Sequence, residues 1–162
     1  MKKYIEAGIS TDHECTTIYE AREKILNGMK ILIREGSAAK NFEALFPLID
    51  SSPEHVMFCS DDIHPNDLIF GHINELIKHA VTKGSNLFNI LRAVSHNPVK
   101  HYNLPVGLLK INDYADFIVV NNLINFDLER LFINGKEVFN KKSGFKPKAF
   151  KNENIVINNF HA

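Results

Sequence analysis

The feature that most constrains this chain is a repeated alternation. Three short apolar runs each end in a polar cluster, and each is followed by residues with helical periodicity. The first run leads from Ile9 into Ser10-Thr11-Asp12-His13-Glu14. The second is Met29-Lys30-Ile31-Leu32-Ile33-Arg34, closing on Glu35-Gly36-Ser37. The third is Val56-Met57-Phe58-Cys59, closing on Ser60-Asp61-Asp62-Ile63-His64-Pro65. Aliphatic and β-branched runs of this length suit strands. Between the runs, Thr17 and Glu20 form a capping-box pattern that opens a helix with Ile18, Ala21 and Ile25 on one face, stopped at Asn27-Gly28. A second helix is expected over 38–49, disturbed at Pro47. A third runs from an Asn66 cap to about Lys83, where Gly84 stops it. Helices over 86–95 and from Asn97-Pro98 complete the series. Strand starts 20 to 27 residues apart predict right-handed crossovers and a parallel sheet covered by helices.

After Tyr102 the character changes. Leu104 to Lys110 is turn-like, and Asp116 to Val120 reads as a strand. Arg130–Ile133 and Glu137–Phe139 flank Asn134-Gly135, a strong hairpin signal. An antiparallel module is therefore expected after the α/β part, with a Lys- and Asn-rich end beyond Asn140. Length alone, at 162 residues, favours one domain with one core.

Charge narrows the function classes. Nineteen basic residues balance nineteen acidic ones, so neither a nucleic-acid nor a membrane-surface role is expected. From Lys136 onward six Lys stand against Glu137 and Glu153, giving an end of charge +4 that reads as a solvated segment. No run approaches the ~20 apolar residues of a membrane span, and the N-terminal residues carry no signal-peptide core. The expectation is a cytoplasmic protein. Cys15 and Cys59, 44 positions apart, read as reduced thiols.

The candidate chemistry lies in the polar clusters, because parallel α/β enzymes assemble their sites where the C-terminal strand ends converge. His13, between Asp12 and Glu14, reads either as a hydrogen-bonded structural histidine or as a ligand or acid–base group oriented by a neighbouring carboxylate. Asp61-Asp62 reads either as a turn pair before a helix or as a carboxylate pair able to take a proton from a water. Arg34 and Glu35 are expected to pair with each other at the strand end. Gly36-Ser37-Ala38-Ala39 offers backbone N–H groups at a helix start, and His64 is the next candidate on this side.

Three segments carry a resemblance. Ser10-Thr11-Asp12-His13-Glu14-Cys15-Thr16-Thr17, Ile33-Arg34-Glu35-Gly36-Ser37-Ala38-Ala39-Lys40-Asn41 and Ser60-Asp61-Asp62-Ile63-His64-Pro65 resemble the bacterial adenine deaminases of the amidohydrolase superfamily. The similarity runs from about Lys3 to Val138, and the Arg-Glu-Gly-Ser block is its most specific part. The resemblance implies a (β/α)8 barrel followed by a small β-sandwich. On that reading residues 1–103 are the last part of the barrel, about strands six to eight. Residues 104–162 are then part of the sandwich and its tail. It implies hydrolysis of adenine to hypoxanthine and ammonia at a divalent metal, with manganese favoured over iron or zinc. His13 would be a metal ligand, and Asp61 both a ligand and the proton shuttle. Glu35, Ser37, Asp62 and His64 would lie near the purine.

The superfamily's first-strand His-x-His is absent, since no two His are separated by one residue anywhere in the chain. A catalytic metal site usually has three protein ligands, and a full barrel about 250 residues. The expectation is a fragment that does not deaminate adenine alone. Its open strand edges predict self-association or pairing with a complementing N-terminal barrel segment. Two further readings are a different cyclic amidohydrolase and a non-catalytic interaction fragment.

Overall fold

A parallel sheet is present, and it is built as the strand spacing predicts. The computed structural model describes residues 2–145. Its first sheet has strand order β1(Thr11–Asp12), β2(Lys30–Arg34), β3(Val56–Cys59), all parallel. Ile31, Ile33, Val56 and Phe58 fall on one face and enter the buried core. Strand alternation then places Leu32 and Arg34 on the opposite face.

Helices cover the core face. A short helix α1(Lys2–Glu6), not foreseen from the sequence, precedes β1. Helix α2(Ile18–Leu26) follows as expected: the Thr17 hydroxyl accepts from the Glu20 amide at 3.3 Å, Ala21 is fully buried, and Ile18 and Ile25 pack on the core. The helix expected over 38–49 is two short ones, α3(Phe42–Leu45) and α4(Leu48–Ser51). It starts later because the chain after β2 folds back on itself, with Glu35 bridged to Lys40, and Pro47 divides it. Phe42, Leu45, Leu48 and Ile49 are fully buried, each burial worth roughly 1.5–3 kcal/mol.

The helix expected from Asn66 to Lys83 is also divided. Pro65 occupies the first turn of α5(Pro65–Leu68) after His64, and α6(Ile73–Thr82) begins only after a turn through Gly71. Gly71 has φ of 158°, and a Cβ there would stand 2.3 Å from the Glu75 side chain. The helices expected over 86–95 and from Asn97 are one continuous run: α7(Leu87–Leu91), a π-helical turn Arg92–His96, and α8(Asn97–Tyr102). Pro98 has no N–H and crowds the carbonyl four residues back, and a widened turn before it accommodates both.

The second sheet is antiparallel, β4(Phe117–Val120), β5(Leu128–Ile133), β6(Lys136–Asn140) and β7(Gly144–Phe145) in that order. Asn134 and Gly135 both adopt positive φ, 50° and 73°, as a type I′ hairpin turn requires. Most of the Lys-rich end read from the sequence lies outside the described residues. Among the described residues no helix is long and apolar enough to cross a membrane.

Candidate functional site at the C-terminal strand ends

Four side chains from three strand ends meet above the parallel sheet. His13 and Glu14 follow β1, Arg34 ends β2, and Asp61 stands two residues beyond β3. Arg34 is the middle of the group. Its Nη1 donates to Asp61 Oδ2 at 2.6 Å and to Glu14 Oε1 at 3.0 Å, and its Nη2 donates to Glu14 Oε2 at 2.8 Å. His13 Nε2 lies 3.2 Å from Glu14 Oε1 and 3.7 Å from Asp61 Oδ1. Arg34 is 8% exposed. A guanidinium fork gripping a carboxylate with two parallel bonds fixes direction as well as distance. The two oxygens of Asp61 are thereby given different surroundings: Oδ2 is committed to Arg34, and Oδ1 is turned toward His13.

Asp61 has a backbone φ of 46°. Left-handed backbone at a non-glycine residue carries strain and concentrates at functional sites. Here it turns the chain sharply after β3, so that Asp61 faces Arg34 and His13.

Asp12 does not share in this group. Its Oδ1 accepts from the Glu14 and Cys15 amides, and its Oδ2 pairs with Lys24 Nζ at 2.8 Å. Of the two carboxylates beside His13, Glu14 alone approaches it. Burial opposes the charge on Lys24, but its hydrogen bonds to Asp12 and Glu20 outweigh that and push its pKa up. Burial, reinforced by the Asp12 hydrogen bond, pushes the Cys15 thiol up to about 12. Cys15 is buried and Cys59 half-buried, and both are free. A neutral, buried thiol is a packing group rather than a nucleophile.

The expected Arg34–Glu35 pair is not formed. Successive strand residues point to opposite faces, so Arg34 meets Glu14 and Asp61 while Glu35 faces Lys40, with Oε2 3.8 Å from Nζ. Asp61 and Asp62 diverge in the same way. Asp62 Oδ2 accepts from the Ala38 amide at 3.2 Å, and its Oδ1 is buried without a partner. Ser37 Oγ donates to Asp67 and accepts from the His64 amide. The His64 residue is exposed at the start of α5. The structure thus brings His13 and Asp61 together, and sets Glu35, Ser37, Asp62 and His64 in the adjoining loops. The sequence reading named Glu14 as a neighbour of His13 but missed that it and Asp61 are the partners of Arg34. The available signal was the placement of a lone Arg among acidic strand ends.

His13 Nε2 and Asp61 Oδ1 are the pair that could hold a cation. Their 3.7 Å separation suits two donors sharing one ion at roughly 2.0–2.2 Å each. Among the described residues no cluster of three or more His, Cys, Asp or Glu is placed to hold a metal, so this pair by itself would be only part of a ligand set. An aspartate anchored through one oxygen, with the other directed at a histidine, is also suited to receive and return a proton.

Comparison with known proteins places the chain in a family. A model of the Amidohydrolase family matches residues 1–138. An adenine deaminase of Methanosarcina mazei is 57% identical over 140 residues, covering 86% of this chain and 25% of that protein. An adenine deaminase of Borreliella burgdorferi is 52% identical over 163 residues, covering 98% of this chain and 29% of that protein. The chain therefore spans about a quarter of the length of these curated relatives. Among solved structures, a beta-aspartyl dipeptidase of Fervidobacterium islandicum superposes with a TM-score of 0.65 at 21% identity, over 82% of this chain and 37% of that one. At that identity the likeness concerns the fold.

Proposed function

We propose that this chain, which belongs to the amidohydrolase family, supplies one side of the active site of an adenine deaminase, hydrolysing adenine to hypoxanthine and ammonia. The observation that carries the reading is the convergence of His13 and Asp61 from the first and third strand ends, at 3.7 Å. Adenine deaminases more than 50% identical to this chain support the substrate. On this reading the three parallel strands are units of a (β/α)8 barrel, within residues 1–103. Residues 104–162 would then comprise part of a small β-sandwich module and a Lys- and Asn-rich tail.

His13 Nε2 and Asp61 Oδ1 would hold a divalent metal, manganese first, with iron or zinc as alternatives. When bound, such a metal lowers the pKa of a coordinated water from 15.7 toward about 7. Asp61 takes a proton from the water that adds to C6 of adenine, then delivers one to the departing amine as the C6–N bond breaks. Arg34 holds Asp61 Oδ2 still throughout, which leaves Oδ1, with its two lone pairs, as the oxygen that would both ligate and exchange the proton. Glu14 fixes the other side of the guanidinium and approaches the His13 ring. Glu35, Ser37, Asp62 and His64 shape the purine end of the site.

Two protein donors are fewer than the three a catalytic metal site usually has. The 162-residue chain alone is therefore expected to yield no hypoxanthine from adenine with Mn²⁺ added. Co-expressed with a segment carrying His-x-His and a second His, it is expected to bind metal and turn adenine over. In that complex Asp61→Asn should lower kcat by 10²–10⁴-fold, the usual contribution of a proton-transfer group. Hypoxanthine formation by the chain alone, or full activity of the Asp61→Asn complex, would overturn the assignment. The β1 and β3 edges of the three-stranded sheet are where such a segment, or a second copy of the chain, would pair. Light scattering of the chain by itself should show association.

A further inference from the structure

The two partners in the site stand on β1 and β3, with β2 between them. Adjacent strands are about 4.8 Å apart, so the first and third ends meet only if the chain leaving β1 is held in a set direction. The β1–β2 ladder stops at Asp12↔Ile31, whereas β2–β3 continues to Arg34↔Cys59. Past Asp12 the first chain separates from the second, and the gap is filled by one side chain. Asn41 Nδ2 donates to the His13 and Cys15 carbonyls, both at 3.1 Å. Asn41 Oδ1 accepts from the Arg34 amide at 2.8 Å, and the Asn41 amide donates back to the Arg34 carbonyl at 3.1 Å.

We propose that Asn41 is a positioning residue: its amide stands in for a missing peptide unit between the β1 and β2 ends and fixes where His13 lies relative to Arg34 and Asp61. Three observations support this. Asn41 is buried, at 5% exposure. Both of its side-chain donors and its acceptor are used between the two strand ends. It also occupies the N-cap position of α3, where Asn normally bonds the helix's own amides, yet it makes no side-chain cap bond. The consequence for catalysis rests on the deaminase reading, whereas the geometry of the His13 ring does not, so the two fail separately.

Asn97 provides a matched control. It too is buried, and its Nδ2 donates to the Pro53 and Val56 carbonyls, both at 2.7 Å, away from the site. In NMR spectra of the 162-residue chain, Asn41→Ala should abolish the nuclear Overhauser contact between the His13 ring and the Asp61 side chain, and Asn97→Ala should retain it. Both variants should unfold at lower denaturant than the parent. Asn41→Asp keeps the acceptor for Arg34 and loses the donors to His13 and Cys15. It should lose the same contact with the Arg34 amide resonance little moved, and it decides the matter if Asn41→Ala does not fold. Retention of the His13–Asp61 contact in a folded Asn41 variant, or its equal loss in Asn97→Ala, overturns the proposal.

Discussion

The two sheets use their apolar residues differently. In the parallel sheet Ile31, Ile33 and Val56 are fully buried beneath helices. In the antiparallel sheet Ile118 and Ile133 remain 53% and 49% exposed. Among the described residues, Phe126 is the one side chain after Ala93 that joins the buried hydrophobic core. Between the helices and the second sheet lies an open cleft of about 850 Å³, lined by Ile77, Val94, Pro98, Phe117, Ile118 and Leu131. Antiparallel sheets are stable with one face packed and one in water, but this one has little cover on either. The first region therefore carries the stability that a positioned site needs, and the second contributes surface.

The largest expected contrast is in the cores. Phe42 is fully buried and packs against Phe46, Phe58 and His79. Phe42→Ala should cost about 3–5 kcal/mol in urea unfolding. A loss below about 1 kcal/mol would break the comparison at its root. The arginines give the next contrast. Arg34→Met removes three charge-assisted bonds from a buried guanidinium and should cost roughly 2 kcal/mol, because water repays Glu14 more fully than the less exposed Asp61 side chain. Arg130→Met removes a more exposed pair with Glu137 on the second sheet and should cost no more than about 1 kcal/mol. Equal costs would mean that the two regions hold their ion pairs alike.

Gly36→Ala tests the loop beside the site. A Cβ there would meet Asp62 Oδ1 at 1.7 Å, so the carboxylate must leave the Ala38 amide, at about 1–3 kcal/mol. A smaller effect separates the regions by pH. The folded state holds the Cys15 thiol neutral up to about 12, while the unfolded chain ionises it near 8.5. A raised folded pKa is a contribution present below the unfolded value and lost as pH rises. Stability should therefore fall above about pH 8.5, ahead of the loss from Lys24, which begins near 10.4. Burial raises the Cys59 thiol as well, to about 11, so Cys15→Ala should lessen the fall in melting temperature between pH 8.5 and 10, and replacing both thiols should flatten it. The smallest effect is Ile133→Ala, expected within about 0.5 kcal/mol of the parent.

Much of the fold was legible because its signals are local. The second and third apolar runs became β2 and β3, whereas β1 formed at Thr11–Asp12, within the polar cluster after Ile9; the Thr17 cap formed, and Asn134-Gly135 made its turn. The meeting of His13 and Asp61 was legible because strand ends of a parallel sheet converge, while the roles expected of them came from the resemblance alone. What the sequence reading missed depends on contacts distant along the chain. Arg34 reaches Glu14 twenty residues back and Asp61 twenty-seven ahead, and adjacency in sequence suggested Glu35 instead. The division of the helix expected over 66–83 depends on a turn at Gly71, and the π-helical turn is a response to Pro98 within an otherwise continuous helix. No local pattern distinguishes a capping Asn from one that turns into a sheet edge, so Asn41 was invisible for the same reason.

The left-handed backbone at Asp61 decides which chemical probes of this position can be read cleanly. Removing the carboxylate with alanine changes two things at once: the charge, and a conformation that a β-carbon without a local polar partner tolerates poorly. Asparagine keeps the turn, the size and one acceptor oxygen for Arg34, and deletes the negative charge together with the capacity to carry a proton. Glycine also deletes the carboxylate, and in addition relaxes the backbone and leaves the guanidinium without its Asp61 partner. Asparagine therefore reports the charge and acidity of this corner with its shape kept, and the further change on going to glycine reports the shape, which alanine alone would confound.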